Sequence, residues 1–461
     1  MTKPKKKLWL NFLKSRDENL TSISISKALW LLCMPISLKL LGHFLFEIID
    51  AFWLGKLGTE VLAAVGGTSL YIWLYYSLVM TTQVGTNTLV SQRIGENDSE
   101  KACITANVGI TISIVMSILF AICYWLLSEY MLSIIGLQEI SLHHALQYFL
   151  PFILASPIFY LWVVFEEIIN ARGQTHITLI IVIFAICVNT ILDPILIHGW
   201  GFDGFGVLGA QLASIIAALV GLFLTGFYCF RLEYISKLTY CHKTAKRILS
   251  IGVPRSISSS VFCLTYVGLA NLIQQFGEEA LAAWMISHRL EGFAYHISVA
   301  FSFALAIIVG QYFGAKKFFL AGESVRISLR YLNIIILINS ACLVFFSEFF
   351  LRIFTNDPQV ISFGSLYLKI VGFAHIFMGW ELACGGALSG WGKTLPFLYI
   401  VAPLTIIRLP VSYLNIYYFE TGITGIFWAI SISTILKGSA MHWLFFRNSK
   451  KYVDLSSEKT E

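Results

Sequence analysis

Four ionisable residues recur along one apolar stretch near the N-terminus: Lys39, His43, Glu47 and Asp50, at spacings of 4, 4 and 3. At about 100° per residue these spacings place all four within roughly an 80° arc of one helix. An ionisable group at the centre of a membrane helix costs at least ~2.5–3.5 kcal/mol, so such groups turn toward protein or water. Two arrangements satisfy this. One is a self-neutralising ladder that settles the helix against its neighbours; the other is a titratable lining of a water-accessible cavity. The second offers chemistry, proton loading and release, with Asp50 the carboxylate best suited to it.

A second set lies in Asn189-Thr-Ile-Leu-Asp193-Pro194. Asn189 and Asp193 share a helix face at i, i+4, and Pro194 has no N–H to give the carbonyl of Thr190. A carboxylate, an amide and a freed carbonyl suit a proton, a hydronium or a small cation, against the plainer alternative that Asp193 only satisfies the kink. Further along stand His288, Arg289 and Glu291, then Lys369, Glu381 and Arg408. Arg289 and Glu291 read equally as a structural pair and as part of a substrate cavity together with Lys39 and His43. Glu166 and Glu167, with Asn170 one turn from Glu166, are expected at the headgroup level and outside any site.

The elements that must carry these residues follow from composition. Of 461 residues 57% are hydrophobic and only 13% charged, against about 25% charged in soluble domains. The mean hydropathy of +0.76 excludes a large soluble domain on one or two anchors. Apolar runs of the ~20 residues that a membrane helix needs number twelve: 28–50, 62–90, 102–127, 145–169, 176–198, 208–230, 250–276, 281–311, 326–350, 361–388, 395–418 and 424–446. They lack period-two alternation, which excludes a membrane β-barrel. With the N-terminus inside, twenty-four Lys and Arg fall in inward segments, beginning with Lys3, Lys5, Lys6 and Lys7, whereas the outward loops hold only Lys56 and Arg352. This positive-inside bias places both termini in the cytoplasm. The net charge of +6 is a topology signal and forms no basic face for nucleic acid. The first apolar run lacks a small-residue cleavage site and is expected to stay as the first span.

An internal repeat is the most informative feature. Pro35 recurs as Pro254; Gly58-Thr-Glu-Val-Leu-Ala-Ala recurs as Gly277-Glu-Glu-Ala-Leu-Ala-Ala; Gln92-Arg-Ile-Gly recurs as Gln311-Tyr-Phe-Gly; Gly173-Gln-Thr recurs as Gly392-Lys-Thr, each at an offset of 219. Six spans are therefore copied as a unit. Because six is even, the copies are parallel, related by an axis along the membrane normal. The expected organisation is a cytoplasmic tail (1–27), an N-lobe (28–230), a cytoplasmic linker (231–249), a C-lobe (250–446) and a second cytoplasmic tail (447–461), with a cavity at the seam. Leu269, the repeat-mate of Asp50, shows that the lobes have diverged in charge. The nine cysteines show no CxxC pair and no metal spacing, and read as small core residues. Phosphate-loop, HExxH and GxSxG patterns are absent, so neither an enzyme nor an ATP-driven pump is expected, and no cofactor or metal.

With these residues in place, the chain resembles the multidrug and toxic compound extrusion family over about 28–446. The resemblance is carried by Ile49-Asp-Ala-Phe-Trp-Leu-Gly-Lys-Leu-Gly, Leu62-Ala-Ala-Val-Gly, Arg93-Ile-Gly, Leu192-Asp-Pro-Ile, His288-Arg-Leu-Glu-Gly-Phe and Val309-Gly-Gln. It is closest in pattern to the prokaryotic DinF-like branch and implies an all-α membrane protein of two pseudo-twofold-related six-helix bundles. It further implies a coupling site made of a first-span Asp, a fifth-span Asn and Asp and a sixth-span hydroxyl, which fall here on Asp50, Asn189, Asp193 and Ser214. Two positions depart: Glu47 stands where Asn is common and Phe46 where Tyr is usual, which brings Glu47 into the coupling set. The seventh-span Glu of the NorM-like branch has no counterpart in 250–276. The implied function is efflux by alternating access, with H⁺ or Na⁺ exchanged for organic, cationic or amphipathic compounds, in a monomer of the inner membrane. A lipid-linked oligosaccharide flippase of the same superfamily is the alternative, with Lys39, Arg255 and Arg289 as its pyrophosphate cations; the Asp50 and Asp193 pair and the span count speak against it. A membrane-embedded enzyme or channel would need a metal cluster or filter sequence that the chain does not show.

Overall fold

In the computed structural model residues 20–135, 139–201 and 203–457 are described, and all regular elements among them are helical. The basic run Lys3 to Lys7 lies outside them. The helices are α1 (Ile25–Gly55), α2 (Thr59–Gly95), α3 (Ser99–Ile135), α4 (Glu139–Ala171), α5 (Thr175–His198), α6 (Val207–Arg231), α7 (His242–Gln274), α8 (Glu278–Gly314) and α9 (Phe318–Phe345). Next come α10, broken into Pro358–Gly372 and His375–Gly390, then α11, the irregular run Phe397–Tyr417, and α12 (Ile423–Ser457). Eleven are long and apolar enough to cross a membrane, and the two halves of α10, bent by 53°, complete a twelfth.

The helices overrun the apolar runs because polar turns at either end continue the helix. Thus α7 begins at His242, and Lys243, Lys246 and Arg247 ride on its first turns rather than on an extended strap. Two further expectations need correction. The tenth span is not one straight helix, since it breaks at Phe373 and Ala374. The ninth span ends at Phe345, and a short separate helix, Ser347–Arg352, follows it. The cysteines also divide: Cys33, Cys229, Cys263 and Cys384 are buried, but Cys123 and Cys187 face outward. On their own helices they are flanked by exposed apolar side chains, Ile122 and Leu126 beside Cys123 and Phe184 and Ile191 beside Cys187, a surface that suits lipid and not water.

The repeat reappears in the backbone. Left-handed φ values occur in pairs 219 residues apart: Gly58 and Gly277, Asn97 and Lys316, Gly173 and Gly392, Gly201 and Glu420. The turns that end α2 and α8 are thus the same turn. Where these two helices cross, a Cβ on Gly95 would overlap the carbonyl oxygen of Gln311, and one on Gly314 the carbonyl of Gln92. Only glycine permits this approach at the pseudo-twofold axis. The glutamines add reciprocal bonds, Gln92 Nε2 to the carbonyl of Gly390 at 2.9 Å and Gln311 Nε2 to that of Ala171 at 3.1 Å. Thr88 Oγ1 donates to the carbonyl of Ser389 at 2.9 Å. The backbone N–H of Leu20 donates to Gln311 Oε1 at 3.1 Å, so the N-terminal end of the described chain lies at this closed seam.

Candidate functional site

At the end of the N-lobe opposite the Gly95–Gln311 crossing, α1, α2, α4, α5 and α6 come together. Leu54, Val61, Tyr148, Ile197, Val207 and Ala210 form an apolar cluster there, and it encloses the carboxylates that the sequence singled out. Asp50 is 8% exposed and Asp193 0%. The two lie within electrostatic range of one another, and Tyr148 of both. Asn189 Nδ2 donates to Ser214 Oγ at 3.2 Å, which brings all four predicted residues of α1, α5 and α6 to one place. Asp50 Oδ1, both carboxylate oxygens of Asp193 and Asn189 Oδ1 are buried without a hydrogen-bond partner. Buried acceptors are normally satisfied, and four left open at one spot form an oxygen-lined cradle suited to a proton or a hard cation. Such a cradle was readable from the residue types; Tyr148 was not, since nothing in its own segment marks it.

The rest of the α1 stripe behaves otherwise. Lys39 Nζ bonds Glu166 Oε2 of α4 at 2.9 Å, both side chains being buried. Lys39 is thus neutralised from another helix, which rules out the ladder alternative for it, and Glu166, expected to touch headgroups or water, is instead buried as its counter-ion. Beside it Glu167 accepts from Asn87 Nδ2 at 2.6 Å and from Gln83 Nε2 at 3.2 Å. Two buried amide side chains of α2 therefore hold Glu167, and α2 with α4, in place. His43 points to the seam, within range of His296 on α8. Glu47 is exposed and faces Arg289, likewise exposed, of the other lobe.

Arg289 and Glu291 are not a pair. Glu291 Oε2 accepts from the Tyr367 hydroxyl at 2.8 Å, and its Oε1 lies 3.5 Å from His375 Nε2. Two residues apart on a helix, their side chains leave on different faces. Of the four residues assigned to a substrate cavity, Glu291 lines the C-lobe cavity described next, whereas Lys39, His43 and Arg289 do not. That cavity, about 130 Å³, lies within α7, α8, α10, α11 and α12 and borders Trp73 and Met80 of α2. A smaller space of about 30 Å³ follows the seam between Asn87 and Ser302. Arg255, Arg408 and Lys437 face the larger cavity, with Glu291 and Glu381. Lys437 Nζ pairs with Glu381 Oε2 at 3.1 Å. Sequence reasoning passed over Lys437 and His375, although an ionisable residue inside an apolar run is itself the signal.

The family profile described as MatE matches residues 35–195 and again 254–414, two stretches that start 219 residues apart, at Pro35 and at Pro254. The chain is 27% identical over 437 residues to a "Probable multidrug resistance protein NorM" of Thermotoga maritima, covering 92% of this chain and 93% of that protein. It is 23% identical to a "FAD transporter" of Shewanella oneidensis, covering 92% and 95%. A solved MOP superfamily transporter from Pyrococcus furiosus shares the fold, with a TM-score of 0.89 at 19% identity over 95% of this chain and 99% of that one. With the repeated profile covering more than half of its residues, and with twelve membrane helices in two six-helix bundles, the chain belongs to the MatE family of multi-pass membrane transporters.

Proposed function

We propose that this protein exports small organic compounds by cation-coupled antiport, with the N-lobe cradle as the coupling site. The observation that carries the proposal is the set of four unpartnered buried oxygens on Asp50, Asn189 and Asp193. A proton or Na⁺ entering it would neutralise charge that is otherwise buried unpaired, a costly arrangement. Coupling follows if the cation binds one conformer of the transporter more tightly than the other. The reciprocal glycine and glutamine contacts close the seam at the end where α2 and α8 finish, so the conformer described here has its solute path shut on that side. Tyr148, Asn189 and Ser214 would fix the geometry of the carboxylates, and the lobes would rock about the glycine crossing. The relatives named for multidrug resistance support efflux, and the one named for FAD supports a family whose cargoes differ in charge.

The test is export of a fluorescent dye from everted vesicles, with the pH gradient and Na⁺ varied separately. Asp50→Asn and Asp193→Asn keep shape but cannot ionise, and each should abolish gradient-driven export while the protein remains inserted and monodisperse. Parental export by both variants with the gradient as sole driving force refutes the coupling site.

A further inference from the structure

Two cations of the C-lobe cavity, Arg408 and Arg255, make no direct ion pair among the described residues. Arg408, on α11, is 2% exposed. Its Nε donates to Ser433 Oγ at 2.6 Å and one terminal nitrogen to Thr434 Oγ1 at 2.8 Å. The other terminal nitrogen, Nη1, is buried without a partner. Arg255, on α7, lies over the Phe397 ring at 4.2 Å. The cavity's two carboxylates are already engaged, Glu381 by Lys437 and Glu291 by Tyr367 with His375. A guanidinium stays charged in any protein environment, and Arg408 is held by hydroxyls and by the Phe262 ring at 5.9 Å, neutral groups among which a buried charge is expensive. A solute anion would satisfy the open donor and offset the charge.

The walls supply the rest of a recognition site. Phe262 and Tyr266 sit 4.6 Å apart by ring centroids, and Trp73 of the N-lobe meets Phe262 at 5.9 Å. These rings offer flat apolar faces to a planar group within reach of the arginines. Because Trp73 belongs to α2 and the arginines to the C-lobe, a solute bound here would touch both lobes.

We propose that this cavity binds the oxyanion of an aromatic organic solute, a carboxylate or a phosphate. Arg408 Nη1 is its open donor, Arg255 its second cation, and Phe262, Tyr266 and Trp73 hold its planar part. The proposal rests on the export reading and names the class of cargo, where the sequence led to the expectation of cationic or amphipathic compounds.

The test uses the full chain in lipid nanodiscs with three probes: fluorescein as an aromatic carboxylate, umbelliferyl phosphate as an aromatic phosphate, and ethidium as an aromatic cation. Binding is read by tryptophan quenching and equilibrium dialysis. At least one anion should bind, and Arg408→Gln should weaken it by roughly tenfold or more, as loss of a hydrogen bond to a charged group does. Arg408→Lys should recover part of the affinity, and ethidium should be indifferent to either change. Arg255→Gln, at a half-buried position, should also weaken the anion and carries the test if Arg408→Gln does not fold. Which anion binds distinguishes carboxylate from phosphate. Failure of both anions to bind, or anion affinity unchanged in both Gln variants, overturns the proposal. The same protein in proteoliposomes separates the two readings. Arg408-dependent anion binding without movement of any probe would sink export and leave the site standing; ethidium export without anion binding would do the reverse.

Discussion

Glu166→Gln tests the packing of the N-lobe, because it removes the counter-ion of Lys39 and almost nothing else. At the observed 2.9 Å and an effective dielectric constant of ~20, the attraction between the two charges is about 6 kcal/mol. Desolvation of both groups cancels part of it, and removing one partner of a buried pair typically costs ~3–5 kcal/mol. Glu167 also lies within electrostatic range of Lys39, so the cost should fall at the lower end, about 3 kcal/mol. The assay is reversible unfolding in mixed detergent, followed by tryptophan fluorescence, for Glu166→Gln, Lys39→Met and the double variant. Each single change should destabilise by that amount. The double variant should be more stable than the sum of the singles predicts, since neither charge is then left alone. If Glu166→Gln stays within about 0.5 kcal/mol of the parent, as exposed substitutions do, the pair is not the buried contact described here.

Three other outcomes can be checked. In a cysteine-free background, Asp203→Cys should react with an impermeant thiol reagent on intact cells and Lys243→Cys should not; the reverse pattern would invert the assigned topology. Gly95→Leu should force α2 away from the carbonyl of Gln311 and open this end of the seam, read as faster labelling of a cysteine at Thr88 than in the glycine parent; equal rates would show that the crossing does not close the path. Tyr367→Phe removes the 2.8 Å bond to Glu291 and should cost about 1.5–3 kcal/mol, as hydrogen bonds to charged groups do, in the same unfolding assay; no loss would show that Glu291 is satisfied without it.

What the sequence determined by itself was the class, the span count, the repeat and the presence of Asp50 and Asp193 inside apolar spans, where both are buried. Each is written in a local or periodic signal: run length against bilayer thickness, the bias of Lys and Arg, the constant offset, and the rarity of Asp in apolar runs. The pairing of Asn189 with Ser214 rested on the family resemblance, and the structure brings the two together. Tertiary structure alone decided the partners. Lys39 shares a helical arc with Glu47 and Asp50, yet its counter-ion is 127 residues away on α4, because helical spacing fixes the direction of a side chain but not which helix packs against it. For the same reason Glu166 looked like an interfacial residue and proved buried, and Arg289 parted from Glu291. The break of α10 at Phe373 and Ala374 follows directly on Gly372, a helix-weakening residue that the count of apolar run length passes over. The C-lobe cavity gathers Arg255, Arg408 and Lys437 from α7, α11 and α12, distant segments that hydropathy treats as separate spans, and only their packing shows that three positive charges share one space.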